Sequence, residues 1–362
     1  MRWNASKGFL RGIRQRPNLT VLTGAEAQRV ILEQGRAKAL LVHWQGGEQR
    51  FEACREIIIA AGAIGSPCLL QRSGIGPRAL LERLGIGVAH EMPGVGGNLQ
   101  DHLQLRMIYK VSDVPTLNQI AGSLWGKVGM GLRYLLDRSG PLSMAPSQLG
   151  AFARSDPQQP SANLEYHVQP LSLDRFGEPL HDFPAFTASV CDLRPHSRGT
   201  VRIRSTDPRE APSIQPNYLS DPRDLAVAAD AIRLTRRIVA ARALAPYQPQ
   251  EYKPGPAYQN EEDLHRAAAE IGTTIFHPAG SCRMGQGVDA VVDAQLRVHG
   301  IPGLRIADAS IMPSLTSGNT CSPVLVIAEK AAQMILAEQR RQARPQSLAA
   351  AAAGNPEVRI GA

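Results

Sequence analysis

The chain is poor in cysteine, histidine and long apolar runs. Its five cysteines, Cys54, Cys68, Cys191, Cys282 and Cys321, are spread over 362 residues. They are odd in number and none forms a CxxC, which argues against a disulfide framework or a zinc knuckle. A reducing, cytoplasmic setting is expected, free or peripheral to a membrane. No stretch approaches the roughly 18 uninterrupted apolar residues of a membrane span; EIIIAAGAIG and SPVLVIAEKAAQMIL have the length of core elements. The basic start, MRWNASKGFLRGIRQRPN, lacks the apolar stretch and cleavage site of a secretory signal. The net charge of +8 comes mostly from scattered arginines. The clusters RGIRQR (11–16) and EQRRQAR (338–344) lack interleaved aromatics, so they read as solvated faces and no nucleic-acid partner is expected. What is present, 43% hydrophobic residues, suffices for one large domain or two interleaved ones.

Residues 18–61 are short β-rich runs broken at Gly24, Gly35 and Gly46-Gly47, the pattern of a hairpin meander. They end in Ile57-Ile58-Ile59-Ala60-Ala61, apolar on both faces like a strand buried in a parallel sheet. A glycine turn follows, then a helix with Ser66 as its N-cap, Pro67 at its first position and Gly74 beyond its end. Strand, glycine turn and helix start together present backbone N–H groups to an anion or a flat cofactor. A second short helix starts at Pro77. From 105 to 270 the texture changes to a helix at 122–136, alternating strands in ANLEYHVQP, AFTASVCDLRP and GTVRIRST, and helices at 222–241 and 260–271. A core strand, GLRIADA, and a closing helix, SPVLVIAEKAAQMILAE, return after His277. The fold class expected is α/β plus α+β. A partial Rossmann-like domain for FAD or NAD(P) (1–105 and 275–338) is interrupted by a substrate-binding domain (106–274) with an antiparallel sheet and flanking helices. A flexible tail covers 339–362.

Residues 275–285, IFHPAGSCRMG, place a histidine, a turn and a cysteine together. Within that window a metal ligand, a redox thiol and a base are all open. No second His/Cys pair matches His277 and Cys282, which weakens the metal reading, and no metal is expected. No resolving thiol is visible either.

Several blocks in one order resemble the glucose-methanol-choline (GMC) flavoprotein oxidoreductases: RPNLTVLTGA (16–25), GAIGSPCLLQRSGIG (62–76), PGVGGNLQDH (93–102), GTVRIRSTDPREAPSIQPNYLSDPRDL (199–225), FHPAGSCRMG (276–285) and LRVHGIPGLRIADASIMPSLTSGNTCSPVLVIAEKAA (296–332). The resemblance implies FAD as cofactor, a small-molecule alcohol as substrate and a quinone or other electron acceptor, of the choline-dehydrogenase-like branch. It places His277 as the base beside the flavin ring and Asn319 as the group sharing the substrate oxygen. An amide donates to a developing alkoxide without titrating, which suits a stabiliser. It further implies flavin contacts at Ala27, Ala61, Gly62, Asp308, Ala309, Asn319 and Thr320. Asn98 and His102 either line the flavin edge or cap their loop; His167, His181, His196 and His299 have no motif support. The family's GxGxxG turn after a first strand is not found; Gly74-Ile-Gly76-Pro-Arg-Ala79 follows a helical run instead. The chain is therefore expected to match the C-terminal two-thirds of a family member. Two other readings stand beside an alcohol dehydrogenase: a truncated or split-gene product unable to hold FAD alone, and a non-redox lyase that keeps His277 as base.

Overall fold

The computed structural model describes residues 3–145, 147–175 and 177–353. Strands β1 (Glu26–Glu33), β2 (Arg36–Trp44) and β3 (Gly47–Glu52) form an antiparallel meander. Its two-residue loops, Gln34-Gly35 and Gln45-Gly46, hold both φ angles positive, the backbone twist that a tight hairpin favours. Next come β4 (Ile57–Ile59), α1 (Gly62–Arg72), β5 (Ile75–Gly76), α2 (Arg78–Arg83) and β6 (His90–Glu91). β7 (Leu103–Lys110), α3 (Leu117–Gly122), α4 (Leu124–Asp137), β8 (Leu149–Ala153), β9 (Leu164–Gln169) and β10 (Ala185–Asp192) follow. Then come β11 (Thr200–Arg202), β12 (Ser213–Gln215), α5 (Pro222–Val239), β13 (Gln250–Lys253), α6 (Glu261–Ile271), β14 (Gly272–Thr274), β15 (Leu304–Ile306) and α7 (Cys321–Ala353).

β4 and β15 pair in parallel, in register from Ile57↔Leu304 to Ile59↔Ile306. Their core joins Val30, Leu70, Ile75, Val95, Val291 and Leu304. Ile58, expected inside, is 47% exposed: the pair buries one face against the meander and leaves the other open among the described residues.

The larger sheet is antiparallel, in the order β13-β7-β10-β9-β8, with β14 added beside β7. Side chains alternate across it with period two. Leu105, Met107, Tyr109, Leu164, Tyr166 and Val190 face α5 and α6, where Ile232 and Leu264 complete an apolar core. Gln104, Arg106, Glu165, His167, Ser189 and Cys191 line the opposite face, as the registers Gln104↔Cys191↔Glu165 and Arg106↔Ser189↔His167 require.

Three helix readings need correction. α1 starts at Gly62, four residues before the expected Ser66, so Pro67 lies inside it. Pro67 has no N–H for the carbonyl of Ala63, and the Ser281 hydroxyl donates to that carbonyl instead. Ser66 still satisfies the helix start from within, accepting from the Ala61 N–H at 3.2 Å. The helix expected at 122–136 is α4, but a further helix that was not expected, α3, precedes it. Ser123 parts the two by adopting extended backbone, and it accepts from Gly126 N–H as the N-cap of α4. α7 continues to Ala353, through most of the expected flexible tail, as an alanine-rich run favours; residues 354–362 lie outside the described residues.

Ser281→Ala would leave the buried Ala63 carbonyl without its partner, a loss of about 1–3 kcal/mol. The urea-unfolding midpoint should fall accordingly; an unchanged midpoint would show that this bond does not compensate Pro67.

Candidate active site

The site lies where β7 and β14 run into it side by side. Their antiparallel register, Gly272↔Leu105 to Thr274↔Leu103, points the chain ends on either side at each other. Just beyond, the His277 backbone N–H donates to Asp101 Oδ1 at 2.9 Å. Asp101 Oδ2 accepts from Tyr218 and Thr274 as well, and Phe276, between Thr274 and His277, has φ +64. Positive φ is costly for an aromatic residue; the Asp101 carboxylate and Thr274, whose Oγ1 accepts from the Phe276 N–H, hold the turn that aims His277.

Nδ1 of His277 lies 3.0 Å from Nδ1 of His102, with the rings near perpendicular. Two such nitrogens bond only if one carries the proton. His102 Nε2 faces the carbonyl of Leu193 at 3.4 Å, so that nitrogen is the donor and His102 Nδ1 is an acceptor. The tautomer assigned to His277 is then Nδ1–H, which leaves a lone pair on Nε2. Asn319 Nδ2 faces that lone pair at 3.4 Å. Burial lowers the pKa of His277, opposed by Asp101 and Glu165, and drives that of His102 down to about 4 with the help of His277.

Gln100, buried, ties the loop of His102 to that of Asn319: its side-chain amide donates to the Pro313 carbonyl and its Oε1 accepts from Leu315 N–H. Ala279 exchanges two backbone bonds with Gln100, and Cys282 N–H donates to Ser310 O. Cys282 is part of the apolar core and burial pushes its thiol up.

Asp308 Oδ2 accepts from Gly62 N–H at 2.9 Å and from the Ser66 hydroxyl, while Oδ1 accepts from Ser310 N–H at 2.8 Å. The carboxylate is thus committed to joining the ends of β4 and β15, and brings Ala61, Gly62, Asp308 and Ala309 together. Gly280 N–H donates to Ala309 O, which carries this cluster over to the His277 segment. Ala27 sits elsewhere, at a register irregularity of β1, whose next residue accepts from Arg72 of α1. Gly74 follows α1 with φ +76, and Gly76 is paired within β5. Asn98 anchors its loop, donating to Gly280 O at 3.1 Å and accepting from Arg198.

Reading the sequence missed Asp101 and Gln100 and gave His102 no partner. NLQDH stood in a matching block, but pairing it with His277 requires the β7–β14 register. His167 also gains a context: half-buried, it stands with the buried Glu165 and Cys191 in a group whose ligand-type atoms all lie within 4.8 Å of one another. Burial raises the Cys191 thiol, and Glu165 Oε2 has no hydrogen-bond partner among the described residues.

Two family models described as GMC oxidoreductase match residues 1–104 and 195–328. The chain belongs to the GMC oxidoreductase family. An oxygen-dependent choline dehydrogenase of Chromohalobacter salexigens is 39% identical over 92% of this chain and 60% of its own length. The solved pyridoxine 4-oxidase of Mesorbium loti superposes with TM-score 0.80 at 31% identity, over 92% of this chain and 61% of that one. An FAD-dependent oxidoreductase of Chaetomium thermophilum gives 0.81 at 25%, over 91% and 63%. The chain spans about 60% of the length of the curated relatives it matches.

His102 supplies a pH test. Its folded pKa of about 4 lies below the ordinary 6.5, so the unfolded chain takes up the proton first as pH falls. Stability present above pH 6.5 is then lost down to pH 4, by up to about 3 kcal/mol. The urea midpoint of His102→Gln should fall less over that window than wild type. Equal slopes would contradict a buried neutral His102.

Proposed function

We propose that the chain carries the substrate-side machinery for FAD-dependent oxidation of an alcohol at a CH–OH group to an aldehyde or ketone, with His277 as the base. One observation carries this reading: the buried His277 ring is held with its Nε2 lone pair beside the Asn319 amide. Burial disfavours the imidazolium and keeps that lone pair available near neutral pH. A substrate hydroxyl takes the place of Asn319 as partner of Nε2 and gives up its proton there, while the Asn319 amide donates to the developing alkoxide. Asp101, which raises the His277 pKa, favours the imidazolium once formed.

The cofactor cluster fits FAD through its backbone. Gly62 has φ +79 and open space where a side chain would stand, so a flat or phosphorylated group can approach its backbone. The Asp308 carboxylate and the N–H groups of Ala61 and Gly62 are already bonded within the chain, so Ala61, Gly62 and Ala309 would serve FAD by close approach of the backbone and not through those donors. Asn319 and Thr320 precede α7, whose positive N-terminal end favours negative charge beside it. Bound flavin supplies the hydride acceptor. The names of the curated relatives make choline the first alcohol to test, and a quinone or another oxidant is the final acceptor.

A second reading, that this chain does not hold FAD alone, is favoured by the open face at Ile58 and by the 60% span. The absorbance of the purified chain separates the two: a flavin spectrum bleached by alcohol supports oxidation, a colourless chain the second reading. In a flavin-loaded protein His277→Ala should slow bleaching by at least about 100-fold, the scale of a general base, and Asn319→Ala by less. Unchanged bleaching in His277→Ala would refute the assignment of the base, and the reverse order of the two would exchange their roles.

A further inference from the structure

The most unusual surface is helix α4, LWGKVGMGLRYLLD, which has no buried residue. At about 100° per residue, Leu124, Trp125, Val128, Leu132, Leu135 and Leu136 fall on a single side. All six are exposed, Trp125 by 82% and Leu136 by 85%. The residues that rest on the molecule, Gly126, Met130 and Tyr134, lie on the opposite side and are only half-buried. An amphipathic helix normally turns its apolar side to the core; α4 turns it outward.

The charges around the stripe are mostly of one sign. Lys127 and Arg133 flank it on its two sides, and Arg138, stacked on Tyr134, closes the C-terminal end. The one acidic residue of α4, Asp137, accepts from Ser139, whose hydroxyl accepts in turn from Arg133. Asp137 thus offsets part of the Arg133 charge, and the surroundings of the stripe remain net positive through Lys127 and Arg138. The preceding helix, α3, is firmly mounted. Thr116 and Gln119 form a capping box at the start of α3, and Asn118 donates to Ser172 Oγ and the Phe183 carbonyl. An apolar stripe with a tryptophan, bordered by cations and carried on a fixed stem, is the pattern of a helix lying in a lipid interface. With 14 residues α4 is too short to span a bilayer, and no helix among the described residues is long and apolar enough to do so.

We propose that α4 docks this protein onto an anionic lipid surface, with the leucine stripe and Trp125 below the headgroups and Lys127, Arg133 and Arg138 among them. The net positive charge around the stripe favours an anionic bilayer over a second copy of the chain, which carries the same net charge there. The inference is independent of the role of His277 and needs no bound cofactor.

The test is co-sedimentation of the 362-residue chain with vesicles of phosphatidylcholine, alone or with phosphatidylglycerol. Binding is expected to be at least about tenfold stronger to the anionic vesicles and to weaken with added salt. Leu132→Glu/Leu135→Glu should abolish it, and Lys127→Glu/Arg133→Glu should remove the preference for anionic lipid. Trp125 emission should shift to the blue with vesicles, a change lost in Trp125→Phe. Three results would overturn the proposal: no vesicle binding, binding that survives both double variants, or a dimer that binds no vesicles and that the leucine variants dissociate.

Discussion

The approach of two imidazole nitrogens, His102 Nδ1 and His277 Nδ1 at 3.0 Å, fixes what the rest of the site can do. One proton must lie between them, and the Leu193 carbonyl at the far side of His102 decides which ring owns it. The free lone pair of His277 therefore points away from the pair, toward Asn319. His102 cannot share the cost by ionising, because burial and the neighbouring ring hold its pKa at about 4. It remains a neutral acceptor near neutral pH. His102 thus sets the direction of His277, and Asp101 sets its position.

Backbone pairing makes this contact possible. β7 follows the loop of Asp101 and His102, and β14 leads into His277, so one antiparallel ladder delivers both rings to one point. Gln100 then connects that point to the loop of Asn319, and Ser281 connects it to α1. Strain at Phe276 is confined by these bonds. The sheet contributes its polar face, with Glu165 and His167 close enough to act on the pKa of His277 in opposite directions.

Much of the fold could be read from local sequence. The meander follows from its glycine-containing loops, and α5 and α6 from Asp221-Pro222 and Asn260 at their starts. Local signals failed where a distant group overrode them. Pro67 looks like a helix start until Ser281, far along the chain, satisfies the carbonyl it frees. Three isoleucines look like a fully buried strand, but burial of Ile58 depends on what covers its face. His277 and Asn319 were legible because they stand in matching blocks. Asp101, Gln100 and the orienting role of His102 were not, since each acts on residues more than a hundred positions away.

The protonation of the histidine pair is directly observable. Nitrogen-15 spectra of the imidazoles near neutral pH, assigned with His102→Gln and His277→Ala, report which ring nitrogens carry hydrogen. His277 should be protonated at Nδ1 and bare at Nε2, and His102 protonated at Nε2 and bare at Nδ1. A His277 ring protonated at Nε2 would place its lone pair against His102 and leave none facing Asn319, which contradicts the account.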